Sequence, residues 1–251
     1  MTLLSRKKIQ IAEREAQILR VAGEILAAEG PGALTMERVL ARLDFSKGTL
    51  YNHFTCREDL LVAYHAQCYA EHYEYFARGA LFRGRPRERF IATGMGSEIR
   101  HRLDPLKISP CTIDTSVSGA SERWREAHAT FLRENVGVFV GIVRDGIACG
   151  DLPPSSDPEF IASSAWSLWI GADHLYRTGM IYRGLTFEDF QFARDRMLAT
   201  LLDGHQWQPL SGAHDYEAVR RRILTEIFPA ETEKLRIPLQ RGAMSDQTVT
   251  A

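Results

Sequence analysis

The stretch that most constrains this chain is Ser46-Lys47-Gly48-Thr49-Leu50-Tyr51-Asn52-His53-Phe54. Ser46 reads as a helix N-cap, its hydroxyl accepting from a first-turn backbone N–H. Plotted at about 100° per residue, Leu50 and Phe54 fall one turn apart and form a buried edge. Gly48, Thr49, Tyr51 and Asn52 spread over the opposite side, with Lys47 and His53 on the flanks. The outward surface therefore carries hydrogen-bonding groups and a glycine, and no large aliphatic side chain. Glycine inside a helix costs roughly 1 kcal/mol relative to alanine, so Gly48 needs a reason. Close approach of another backbone, such as a phosphate strand, supplies one.

Immediately upstream, Thr35 to Leu43 reads as a shorter helix, capped by Thr35 and apolar at Met36, Val39, Leu40 and Leu43. Only Asp44-Phe45 separates the two. Two short helices joined by a tight turn, the second exposing polar groups at its N-terminal end, form the helix-turn-helix arrangement that lays a recognition helix in the DNA major groove.

From Ile18 to Leu61 the chain resembles the DNA-binding domain of the TetR family of bacterial transcriptional regulators. The resemblance is tightest at Gly30-x-x-x-Leu34-Thr35-Met36, at Phe45 to Phe54, and at Arg57-Glu58-Asp59-Leu60-Leu61. It implies DNA contacts, mainly to phosphates, from Thr35, Ser46, Lys47, Gly48, Thr49, Tyr51, Asn52, His53 and Arg57. Two positions depart from the family pattern. Asp44 stands where the family usually has a turn glycine; aspartate tolerates the left-handed conformation better than most residues but brings a negative charge. Asn52 stands where many members have a second aromatic, and asparagine can pair with adenine in bidentate fashion.

With 251 residues the chain is long enough for one large or two modest domains. Its net charge of −1 gives no global signature of nucleic-acid binding. Residues 1–59 hold nine Lys/Arg against eight Asp/Glu, so attraction to DNA must come from the local placement of Arg6, Lys7, Lys8, Arg38, Arg42, Lys47 and Arg57. Cys56, Cys68, Cys111 and Cys149 form no C-x-x-C pair, which argues against a zinc ribbon or a disulfide framework and for a reducing, cytoplasmic setting. No window reads as a signal peptide or a membrane span, so no membrane association is expected.

Along the chain, the residues to about Lys8 read as a basic, mobile arm. A helix follows from about Ile11 to Glu29 and ends at Gly30-Pro31-Gly32. A longer helix starts at Arg57 and runs to about Arg78. On it His65, Cys68 and His72 lie within about 60° of one another, a spacing able to hold a metal only if another element adds ligands. No second cluster does so, and packed or hydrogen-bonded side chains are the preferred reading; no metal or other cofactor is expected. Further helices are read from Pro86 to Arg102, from Ser121 to Gly150, from Asp157, from Thr186 to about Leu202, and from Tyr216 to Phe228, with a less regular passage from Leu103 to Gly119. Asp157-Pro158-Glu159 combines an N-cap, a first-turn proline and a first-turn acid. Leu185 and Phe190 form a hydrophobic staple around Thr186. The Asp157 helix is apolar or small around most of its circumference, so it must be covered on several sides. The basic triplet Arg220-Arg221-Arg222 reads as a solvated helix face.

The expected fold is all-α: a helix-turn-helix DNA-binding domain over 1–57, a larger helical effector-binding and dimerisation domain over 58–228, and a disordered tail over 229–251. The resemblance implies a sequence-specific regulator, a repressor released from a pseudo-palindromic operator by a small ligand in the second domain. It also implies a homodimer through the helices beginning at Asp157 and Thr186. Tyr69, His72, Trp124, His128, Phe131 and Trp169 are the candidate pocket residues, because aromatic walls with a few polar groups suit such a site; plain core packing is the alternative for each. An architectural or cell-cycle DNA-binding factor without an effector is the competing function, and a real cavity in the second domain discriminates the two. An enzyme is not expected: there is no G-x-S-x-G elbow, glycine-rich phosphate loop or H-E-x-x-H pattern.

Overall fold

The computed structural model describes residues 3–103, 117–181 and 184–240. Cys111, much of the passage between Leu103 and Gly119, and the end of the expected tail lie outside them. The described residues contain α-helices, short 3-10 turns and no strand, and no helix among them is long and apolar enough to cross a membrane. The chain divides into two compact units, Met1–Glu71 with Asp104–Arg133, and His72–Leu103 with Glu134–Ala251. The first therefore takes in more than the 1–57 expected for a DNA-binding domain.

In the first unit, α1 (Leu3–Glu29) leads through a 3-10 turn at Pro31–Ala33 to α2 (Met36–Leu40), α3 (Lys47–His53) and the start of α4 (Arg57–Ala80). Its core joins Ile18, Ala22 and Ile25 of α1 to Leu34, Val39, Leu50, Phe54 and Leu60, all fully or almost fully buried. Apolar positions spaced three and four apart on α1 supply one wall, and the short helices close onto it. Gly30 ends α1 at φ 82°, a conformation that glycine adopts without strain. Thr35 and Ser46 cap α2 and α3: their hydroxyls accept from the Arg38 and Thr49 N–H groups, each at 3.2 Å.

Three local expectations change. The N-terminal residues expected as a mobile arm are helical from Leu3, since no glycine or proline interrupts the chain before Gly23. The second helix stops at Leu40 rather than Leu43, because Arg42 and Leu43 bond to the third residue before each and tighten the chain into the turn. Asp44 does not take the left-handed conformation; among the described non-glycine residues only Gln206 and Arg236 have positive φ.

The second unit holds the end of α4, α5 (Pro86–Leu103), the end of α6 (Glu122–Ala148), α7 (Pro158–Arg177), α8 (Phe187–Gly204), α9 (Tyr216–Glu226) and α10 (Pro229–Leu235). One apolar cluster gathers Phe76, Phe90, Phe139, Val143, Ile161 and Trp207; another gathers Phe82, Met95, Ile99, Ile223, Phe228 and Ile237. Asp157 and Thr186 cap α7 and α8 by accepting from the Phe160 and Asp189 N–H groups. The segment from Pro229 is not disordered at its start: α10 forms there, Arg78 forks onto Glu231 at 2.5 and 3.0 Å, and Ile237 is buried. Polar composition hid a segment held by an ion pair, by the Thr232 hydroxyl donating to the Leu224 carbonyl at 3.0 Å, and by the apolar residues Leu235 and Ile237.

Candidate nucleic-acid interface and cavity

Helix α3 is short, and its position depends on Leu50 and Phe54, both 0% exposed. With that edge buried, Ser46, Lys47, Gly48 and Asn52 are exposed, and Thr49 and Tyr51 half-buried. The Ser46 and Thr49 hydroxyl oxygens are 2.9 Å apart, and Lys47 Nζ lies 5.5 Å from the centre of the Tyr51 ring. The surface so formed offers hydroxyl, amide, phenol and ammonium groups side by side, the set that bonds to phosphate oxygens and base edges. A Cβ placed on Gly48 would meet nothing nearer than Ser46 Oγ at 3.9 Å. Nothing inside the fold requires glycine at this position.

The other three candidates make contacts within the protein. The Thr35 hydroxyl caps α2. His53 is half-buried, its Nδ1 3.2 Å from Glu15 Oε1. Arg57 donates from Nε to the Leu34 carbonyl (3.0 Å) and from Nη2 to the Pro31 carbonyl (2.8 Å), fixing the loop ahead of Thr35. These bonds give all three a role in positioning the helix-turn-helix.

Sequence reasoning missed the groups that brace α3 from afar. Trp124 stacks on Phe54, the C-cap of α3, with ring centroids 5.1 Å apart. Arg123 donates to both oxygens of Glu15, the carboxylate beside His53, at 2.8 and 3.0 Å. Asp59, 0% exposed, accepts from the Ser121 N–H (2.7 Å) and from the Thr55 N–H and hydroxyl (both 2.8 Å). Burial alone would raise the Asp59 pKa, but these three hydrogen bonds outweigh it and hold the carboxyl below its ordinary range. Each partner lies 62 or more residues from its counterpart, except Thr55, which adjoins Asp59. No local pattern announces such pairs.

The six pocket candidates do not converge on one site. Tyr69 and His128 gather around His65 in the first unit: His65 Nδ1 and His128 Nε2 are 2.7 Å apart, and Tyr69 meets His65 edge-on at 4.7 Å. Trp124 covers Phe54, and Phe131 is half-buried on α6. His72 tilts against Phe76 in the second unit. Cys68, considered with His65 and His72, packs in the apolar core. Among the described residues, no group of three or more His, Cys, Asp or Glu gathers as metal ligands. Trp169 lines a cavity of about 340 Å³, wholly within the second unit, where α5, α7, α8 and the start of α9 approach one another.

A family model, bacterial regulatory proteins of the tetR family, matches residues 18–64. No curated protein matches the chain. Among solved structures, a tetR-family regulatory protein from Rhodococcus RHA1 is 23% identical with a TM-score of 0.57, the match covering 76% of this chain and 96% of that one. A TetR/AcrR-family regulator from Thermobifida fusca is 23% identical with a TM-score of 0.53, covering 77% and 98%. Reduced NemR from E. coli is 20% identical with a TM-score of 0.53, covering 72% and 94%. The likeness shows a shared fold, and it spans nearly the whole of each of those chains while leaving about a quarter of this one outside the match. The matched segment coincides with the capped helix pair and its polar outward face, so residues 18–64 are similar to the tetR family of bacterial regulatory proteins.

Proposed function

We propose that this protein is a homodimeric transcriptional repressor that binds a pseudo-palindromic operator through α3 and is released by a small molecule held in its second unit. The observation that carries the DNA-binding reading is the exposed face of α3, where Gly48 has no internal reason to be glycine and polar groups surround it. Ser46, Lys47, Thr49, Tyr51 and Asn52 make the contacts, Gly48 admits the phosphate strand, and Thr35, His53 and Arg57 set the helix at its angle.

Dimerisation is supported by α7. Its single-chain packing leaves Phe160 59% exposed and Leu168, Trp169 and Ile170 only half-covered. A second copy packing α7 and α8 against the same pair would cover that surface and place two recognition helices about one DNA turn, roughly 34 Å, apart. The cavity favours a ligand-responsive regulator over an architectural factor. Coupling is short: Arg57, which ties down the Pro31 and Leu34 carbonyls, opens the same helix α4 that ends at Ala80. A ligand that prefers an α4 tilt incompatible with groove spacing lowers operator affinity, and a coupling of about 1–3 kcal/mol gives a several-fold to hundred-fold loss.

The test is stoichiometry. Light scattering of the protein alone, and of its complex with a duplex recovered from random-sequence selection, should give two chains in each case. A monomer at micromolar concentration, or one chain per duplex, contradicts the proposal.

A further inference from the structure

Helix α1 is longer than the core it serves. Its buried side chains begin at Ile18, so the turns from Leu3 onward, about 22 Å of helix at 1.5 Å per residue, extend past the packed helices of the first unit. Arg6, Lys8 and every residue from Ile9 to Arg14 are exposed. A helical stretch of about this length is marginal in water when nothing packs against it.

The overhang carries charge of one sign. Arg6, Lys7 and Lys8 give the first twelve residues three cations and no acid, in a chain whose net charge is −1. Among the described residues, no carboxylate pairs with Arg6 or Lys8. Its exposed apolar side chains do not compose a docking face: Ile9 and Ile11, 43% and 37% exposed, stand two residues apart, about 200° around the helix. The overhang also leaves the core beside the recognition helix, where Glu15 Oε1 lies 3.2 Å from His53 Nδ1 in the last turn of α3. Lys8 stands seven residues before Glu15, two turns away on the same side of α1 and about 10 Å further along; Arg6 is about 14 Å along. Arg123 donates to both oxygens of Glu15, so that carboxylate is matched inside the protein and does not cancel the positive charge ahead of it.

We propose that this overhang is a second DNA-binding element, laid along the phosphate backbone of the same duplex that α3 enters. Double-stranded DNA carries one negative charge per about 1.7 Å of axis, so cations 10 to 14 Å beyond the end of α3 meet a densely charged surface. Contacts of this kind hold the protein on the duplex without reading its sequence. The proposal rests on the reading of α3 as the recognition helix and extends the contacted surface to α1.

The test uses the full chain and the duplex recovered by selection, titrated by fluorescence anisotropy over a salt series. Arg6→Gln combined with Lys8→Gln should make the slope of log affinity against log salt shallower by about two charges per subunit. It should weaken binding to the selected duplex and to a scrambled one by the same factor, and leave the enriched motif unchanged. Arg6→Lys combined with Lys8→Arg removes no charge and should keep the wild-type slope. Both pairs of positions lie outside the core, so the denaturant unfolding curves of the variants should coincide with that of wild type. An unchanged slope in the glutamine variant, a loss confined to the selected duplex, or an equal loss in the charge-keeping variant overturns the proposal. So does a change in the stoichiometry of the DNA-free glutamine variant, which would assign the overhang to a protein contact. Wild type that binds no duplex refutes recognition by α3 and the overhang with it; operator binding identical in all three proteins refutes the overhang alone.

Discussion

The Trp124 ring lies nearly parallel to that of Phe54, 10° between planes and 5.1 Å between centroids, so the residue that closes the recognition helix is covered by the first turn of α6. Phe54 has no exposed surface, and Arg123 stacks on the other partner, its guanidinium 4.5 Å from the Trp124 ring centre. Stacked aromatic pairs contribute about 0.5–1.5 kcal/mol beyond the area they bury. Trp124→Ala should therefore destabilise the protein by about 2–3 kcal/mol, toward the lower side of core tryptophan truncations because the ring is only half-buried. Denaturant unfolding measures the loss, and operator affinity should fall with it as the end of α3 loosens.

Asp59 supplies a pH signature. Its folded pKa is held below the unfolded value, so its contribution is present above the unfolded carboxylate pKa and is lost as pH falls through the folded one. Asp59→Asn should cost about 1–3 kcal/mol at neutral pH, because the amide would keep the space but weaken three hydrogen bonds to a charged acceptor. The gap between wild type and variant should hold steady above the unfolded carboxylate pKa and narrow progressively as pH falls below about 4. A gap that does not narrow on acidification would show that packing, rather than the charge, accounts for Asp59.

The buried His65–His128 pair acts at higher pH. Burial lowers the His128 pKa, and a ring nitrogen 2.7 Å from another imidazole nitrogen shares one proton with it. For a base with a lowered folded pKa, stability is complete above the unfolded value and declines as pH drops below about 6.5. His128→Leu should flatten this decline between about pH 6.5 and 5 relative to wild type. Parallel stability curves for the two proteins across that range would contradict the assignment.

Recognition-helix variants separate positioning from specificity. Lys47→Ala and Tyr51→Ala should weaken binding to all duplexes, and Lys47→Ala should reduce the slope of log affinity against log salt by about one charge per subunit. Asn52→Ala should mostly relax base preference, with an effect of about 1–3 kcal/mol between the selected site and a mismatch. Fluorescence anisotropy on matched and mismatched duplexes over a salt series distinguishes these outcomes.

What the sequence made legible follows the range of the forces involved. Helix boundaries set by local chemistry, such as the Thr35, Ser46, Asp157 and Thr186 caps and the stop at Gly30, stand where a reading at 3.6 residues per turn puts them. The outward face of α3 was equally legible, since Leu50 and Phe54 alone fix its rotation. Contacts made across the chain were not. Nothing near Asp59 in sequence points to Ser121, and the aromatic spacing that offered Trp124 and Tyr69 as pocket walls did not reveal that Phe54 and His65 occupy them. The cavity escaped for a related reason. Its cationic residues lie on α5, α8 and α9, and the Arg220 triplet read as a solvated face, although Arg220 turns inward to 5% exposure while Arg222 stays out. A basic triplet on a helix cannot show by itself which member the fold will bury.

The most direct test of the central claim, that α3 reads DNA, is selection from a randomised duplex pool by wild-type protein and by the Lys47→Ala, Tyr51→Ala double variant, each confirmed folded by circular dichroism. Wild type should enrich a pseudo-palindrome with half-site centres about 10 base pairs apart, or a multiple of that, and the double variant should enrich nothing. No enrichment by wild type, or the same motif recovered by the double variant, would contradict it.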